Sequence, residues 1–145
     1  DPLDQTVVYV LDRRTNRTSA LHRLRLSGDQ LTEDGNASIP IDVGAAEGQW
    51  PEMGLAVAVA PDDPKGRIFA ITDASHQCVL EMSAFGDHRT SSSKRAPILA
   101  TYAQAVGTFV GDAALSRPTD VAYVVEDGEL HLYAVDGGDR IVRLR

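Results

Sequence analysis

Cysteine is almost missing from this chain. Cys78 stands alone among 145 residues, which excludes an intrachain disulfide and a zinc site built on cysteines. It leaves the compartment open, because a disulfide-free domain can be secreted. In its setting Cys78 reads as a small buried apolar residue of a strand. Long apolar runs are missing too: the longest is about "LAVAVA", Leu55 to Ala60, far short of the roughly 20 residues that span a bilayer, and nothing resembles a signal peptide. Positive charge is scarce. Fourteen basic residues face 21 acidic ones for a net charge of -7, so no broad basic face exists for phosphate backbones and nucleic acid is excluded as a partner.

What is present is ordinary for a folded domain: 43% hydrophobic and 24% charged residues over a length that suits one domain with a sizeable core. The chain opens on Asp1 and Pro2, as a processed chain or the ordered part of something longer would. The triplets "NRT" at Asn16 and "NAS" at Asn36 match the N-glycosylation acceptor in turn-like polar stretches and point towards an exported protein, extracytoplasmic or in an organelle lumen.

Short runs rich in Val, Ile, Leu and Tyr recur between clusters of Gly, Pro, Asp and Ser, and no helical period is sustained over ten residues. The expected class is all-β. Strands are predicted at Thr6 to Leu11, Ala20 to Leu26, Ser38 to Val43, Leu55 to Ala60, Arg67 to Thr72, Gln77 to Met82, Ile98 to Tyr102, Thr119 to Val125, Glu129 to Val135 and Arg140 to Leu144. In "ALHRLRL" the alternation of leucine with His22, Arg23 and Arg25 suggests an outer strand with one wet face. "LAVAVA" is small and apolar throughout, as a strand covered on both faces requires.

A repeat runs through these strands. Setting Asp73 on Asp136 aligns "RIFAITD" with "HLYAVD" at an offset of 63 and places Gln77 on Arg140; "VVYVLD" ending at Asp12 is a third copy 61 residues before Asp73. The unit is strand, Gly-containing turn, strand ending in Asp, polar turn, strand. The sequence between repeats carries one further strand-like run and otherwise reads as loop, with "TSSSKR" a polar, solvated tip. An Asp closing the second strand can accept hydrogen bonds from turn backbone, and an Arg four residues on can reach back to it. Asp12, Asp73, Asp136 and Arg140 are therefore read as structural turn residues, with Ser75, His76 and Asp139 beside them as loop-face contacts.

The segment "RPTDVAYVVEDGELHLYAVDGGDRIVRLR" resembles an NHL repeat, a β-propeller blade of the form P-x-x-V-A-V, Gly turn, L-Y-V-A-D, x-x-N-x-R-I. Pro118, Val121, Ala122, Gly128, Leu132, Tyr133, Asp136, Arg140 and Ile141 fall on that pattern. Asp139 and His76 stand where the family often has Asn, and Gln77 replaces the Arg. The resemblance implies a single partial propeller of about two and a half to three blades, spanning residues 4–43, 50–102 and 108–145, with exposed sheet edges and an apolar flank at its ends.

The residues offer little for catalysis. His22, His76, His88 and His131 form no close metal-binding pair, no G-x-S-x-G elbow, phosphate loop or EF-hand spacing is present, and "DGGD" reads as a tight turn. Ser75, His76 and Asp73 are too close on one turn for a catalytic triad. The expectation is a non-catalytic interaction or accessory-subunit module without a cofactor, docking on a protein partner or self-assembling through propeller loops and exposed edges. The alternative implied by the resemblance is a fragment of a metal-dependent propeller enzyme, peptidyl-hydroxyglycine lyase-like or gluconolactonase-like, whose ligands come from several blades.

Overall fold

The computed structural model describes residues 1–13, 19–41, 54–61, 63–84, 98–103 and 114–144. These form ten strands: β1 (Val7–Arg13), β2 (Ser19–Ser27), β3 (Gln30–Ile41), β4 (Leu55–Ala60), β5 (Asp63–Asp73), β6 (Cys78–Ala84), β7 (Ile98–Tyr102), β8 (Pro118–Glu126), β9 (Glu129–Asp136) and β10 (Arg140–Arg143). The protein is all-β. Three antiparallel sheets, β1-β2-β3, β4-β5-β6-β7 and β8-β9-β10, each pair consecutive strands, and none closes on itself.

The turns explain the registers. Asp127 and Gly128 both have positive φ, 52° and 81°, and join Glu126 to its partner Glu129, the two-residue Asp-Gly arrangement whose twist matches antiparallel strands. Gly28, at φ 61°, does the same work between Ser27 and Gln30. That second hairpin differs from the expectation: β3 begins at Gln30 rather than Ser38, and Asn36 lies within the strand. Asn16 is outside the described residues. β2 also differs, being the central strand of its sheet rather than an outer one. Its alternation splits Leu21, Arg23 and Arg25 onto the face shared with Tyr9 and Leu11, and His22 and Leu24 onto the face shared with Val8 and Val10.

The middle sheet is covered on both faces. On one side Phe69, Ile71, Cys78, Leu80 and Met82, with Leu55 and Val57, pack against Tyr9, Leu11 and Leu21 of the first sheet. The Tyr9 and Phe69 rings meet edge to face at 4.9 Å. On the other side Ala70 and Val79, with Ala56 and Tyr102, pack against Val121, Leu132, Ala134, Val142 and Leu144. Ala58, Ala60 and Ile68 extend that layer to Tyr123 and Leu130. "LAVAVA" thus sends its larger residues one way and its alanines the other, and the alanines admit the bulkier side chains of the third sheet. Burying Phe69 alone contributes on the order of 2–3 kcal/mol of transfer free energy.

Cross-strand pairing exposes the repeat more sharply than the letters do. Leu55 and Val57 face Ile71 and Phe69, which face Leu80 and Met82. In the third sheet Val121 and Tyr123 face Ala134 and Leu132, and Ala134 faces Val142. Both sets pack on the preceding sheet. Asp73 pairs with Cys78 across a four-residue turn, whereas Asp136 pairs with Arg140 across a three-residue turn. By register the counterpart of Arg140 is therefore Cys78; Gln77, at φ 55°, belongs to the longer turn.

Candidate functional site

The two turns at corresponding ends of β5 and β9 satisfy their aspartates differently. Asp136 is fully buried and accepts backbone N–H bonds from Ser116 at 3.0 Å and Arg117 at 2.6 Å, both in the lead-in to β8. Arg140 donates to the same carboxylate through Nε at 2.9 Å and through a terminal nitrogen, which also donates to the Ala114 carbonyl at 3.0 Å. Burial opposes ionisation here, but the Arg117 N–H and the Arg140 guanidinium outweigh it and hold the carboxyl below its ordinary range. Gly137 donates to the Arg117 carbonyl at 3.0 Å, so lead-in and turn are tied by both chain and side chain.

Asp73 is tied locally. Ser75 Oγ donates to its Oδ1 at 2.6 Å, the His76 N–H reaches Oδ1 at 3.2 Å, and His76 Nδ1 lies 2.7 Å from Oδ2. The serine and the imidazole both address the carboxylate, and Ser75 Oγ stands 3.5 Å from His76 Nδ1. This is a hydrogen-bonded turn, not a relay from serine through histidine to aspartate. The lead-in to β4 is instead tied by Thr72, whose Oγ1 accepts from the Gly54 N–H at 2.7 Å and whose N–H donates to the Gly54 carbonyl at 3.1 Å. Asp12 sits opposite Ala20 within the β1–β2 hairpin, with its Oδ2 3.6 Å from His22 Nε2; the residues that follow it, 14–18, are outside the described residues. Ser75, His76 and Asp139 are exposed.

Among the histidines, His22 lies between Asp12 and Glu33, and His88 is outside the described residues. His131 is buried and accepts at Nδ1 from the Arg143 guanidinium at 2.7 Å. A guanidinium can only donate, so the imidazole proton sits on Nε2, 3.9 Å from Glu126. Glu126 also receives the Tyr133 hydroxyl at 2.9 Å, and that hydrogen bond, with burial, raises the phenol above its usual range. No three His, Cys, Asp or Glu side chains converge on a metal-binding arrangement among the described residues. A cleft of about 820 Å³ opens between β4 and the β8–β9 hairpin, lined by Val57, Val59, Pro61, Val125, Leu130 and the nearby His131 and Arg143.

The outward faces of the two end sheets carry exposed apolar side chains. On the first sheet Val8, Val10, Leu26 and Leu31 are exposed, Val10 by 38%. On the third, Val124 and Ile141 are exposed, Ile141 by 68%. The counterparts of Val8 and Val10 in the middle sheet are Phe69 and Ile71, both fully buried, and the counterpart of Ile141 is Val79, also fully buried.

No protein-family model matches the chain, and no curated protein or solved structure does so either.

Two elements escaped the sequence reading. The β2–β3 hairpin carried a usable signal, a two-residue Gly-Asp turn flanked by Leu26 and Leu31. The half-buried cross-sheet bond from Tyr123 to Glu81, at 2.9 Å across 42 positions, carried none.

Proposed function

We propose that the chain is an arc of NHL-like propeller blades that serves as a non-catalytic docking module. Its end faces engage another protein through a β-sheet face of alternating apolar side chains, and the exposed turn residues Ser75, His76 and Asp139 add polar contacts beside them. Support for the blade reading comes from the meander order of each sheet, the shared registers and the face-to-face stacking of consecutive sheets. One observation carries the docking reading: the end sheets expose the positions that the middle sheet buries. Apolar patches of this kind mark interaction sites.

Light scattering over a wide concentration range, with binding of an apolar fluorescent dye, tests this. The wild-type chain is expected to associate or to bind dye. The double variant Val10→Asp with Ile141→Asp, folded by circular dichroism, is expected to lose both properties. A wild-type chain that stays monomeric and silent to dye would defeat the reading.

A further inference from the structure

We propose that the occupant of each outward face is a second copy of this chain, with the third sheet of one copy laid on the first sheet of the other so that two copies close a ring of six sheets. This rests on the docking reading and names its partner. The contact continues an interface the molecule already makes twice, between its first and middle sheets and between its middle and third. Each time, one sheet offers the face that follows it in the chain and the next offers the face that precedes it. Only two such faces are left over among the described residues, and they are of opposite kind: the following face of the third sheet and the preceding face of the first.

Tyr133 carries the fit furthest. By register it is the counterpart of Ala70 in the middle sheet and of Tyr9 in the first. Tyr9 sends its hydroxyl to the Asp1 carboxylate at 2.5 Å and lays its ring against Phe69 of the next sheet. Tyr133 repeats the polar half of that arrangement, with its hydroxyl on the Glu126 carboxylate. The position that Phe69 fills is held in the first sheet by Val8, which is exposed. A large ring would thus meet a small side chain, as Leu132 meets Ala70 inside the molecule with the sizes reversed.

The stoichiometry follows from closure. Head-to-tail contacts make a ring when the rotations sum to a full turn, and propellers close with about four to eight sheets. Counted on the described residues, two copies supply six sheets and three would supply nine.

Single variants and their mixture test the arrangement. The wild-type chain is expected to run at twice the mass of one chain, and Val10→Asp and Ile141→Asp are each expected to weaken association at least tenfold. Because each contact uses one face from each copy, an equimolar mixture of the two variants retains one intact contact and should associate more tightly than either alone. Leu26→Lys replaces Val10→Asp should the latter fail to fold. If only one of the two variants weakens association, the pairing is like-with-like and the proposal is wrong. Open-ended polymers also overturn it. A wild-type monomer that still binds apolar dye overturns this proposal and leaves the docking reading standing, whereas a dye-silent monomer removes both.

Discussion

Arg67 holds both carboxylate oxygens of Asp1, each at 2.9 Å, across 66 positions of sequence. The Asp1 side chain is almost wholly buried, and the same guanidinium donates to the Gly66 carbonyl at 2.9 Å and the Lys65 carbonyl at 3.2 Å. It therefore fastens the segment before β1 to the first half of β5. Arg67→Ala leaves a buried carboxylate without its charged partner, with only the Tyr9 hydroxyl and the Leu3 N–H still donating to it, and a loss of about 3–5 kcal/mol is expected from urea unfolding. Arg67→Lys should recover only part of it, since one ammonium cannot span two oxygens in the bidentate geometry.

Asp136 makes stability depend on acid. Its folded carboxyl is held below the ordinary value near 3.9, so its contribution is complete above that pH and is lost as pH falls through the lower folded value. Asp136→Asn is expected to cost on the order of 2 kcal/mol at neutral pH, with the gap to wild type narrowing below about pH 4. Asp4 adds to the same window: the Thr6 hydroxyl and N–H, with Arg25, bring its carboxyl down to about 2. Thermal unfolding between neutral pH and pH 2 measures both.

Cys78 should be chemically silent in the folded protein. Burial, then the Asp73 carboxylate, pushes its thiol up to about 11. At pH 8 a disulfide reagent should react roughly 100-fold or more slowly with the native chain than with the unfolded one, because the thiolate is the nucleophile. A fast native reaction would show that β6 opens readily.

Two glycines should respond differently to alanine. At Gly54 a Cβ would stand 2.5 Å from the Asp120 Cα and 2.9 Å from the Val121 nitrogen, so the middle and third sheets must part; about 1–3 kcal/mol is expected. At Gly128 nothing lies within 4 Å, and the cost is the left-handed φ alone, about 1 kcal/mol. Denaturant midpoints of the two variants should separate accordingly.

Most strands were legible because their apolar residues alternate against a covered face, as in Phe69 and Ile71 or Leu132 and Ala134. The first half of β3 was not: Gln30, Thr32 and Glu33 are exposed, so burial wrote no alternation there. The role of Gln77 was misaligned because letters do not record that one turn is a residue longer than the other. The site was less legible than the fold. Asp73 and Asp136 fall at equivalent strand ends, yet their donors differ, since one turn supplies Ser75 and His76 locally while the other draws on a lead-in some twenty residues earlier. Tyr123 with Glu81, and Asp1 with Arg67, join residues whose closeness exists only once the sheets stack.

Among the described residues, every sheet is built from strands that are consecutive in chain order. Loop closure for such pairings is inexpensive, and topologies of low contact order reach their folded state faster than all-β folds that interleave distant strands. Each sheet can therefore form as soon as its own strands have left the ribosome and then serve as the surface on which the next condenses, so that folding proceeds in the direction of synthesis, one layer at a time.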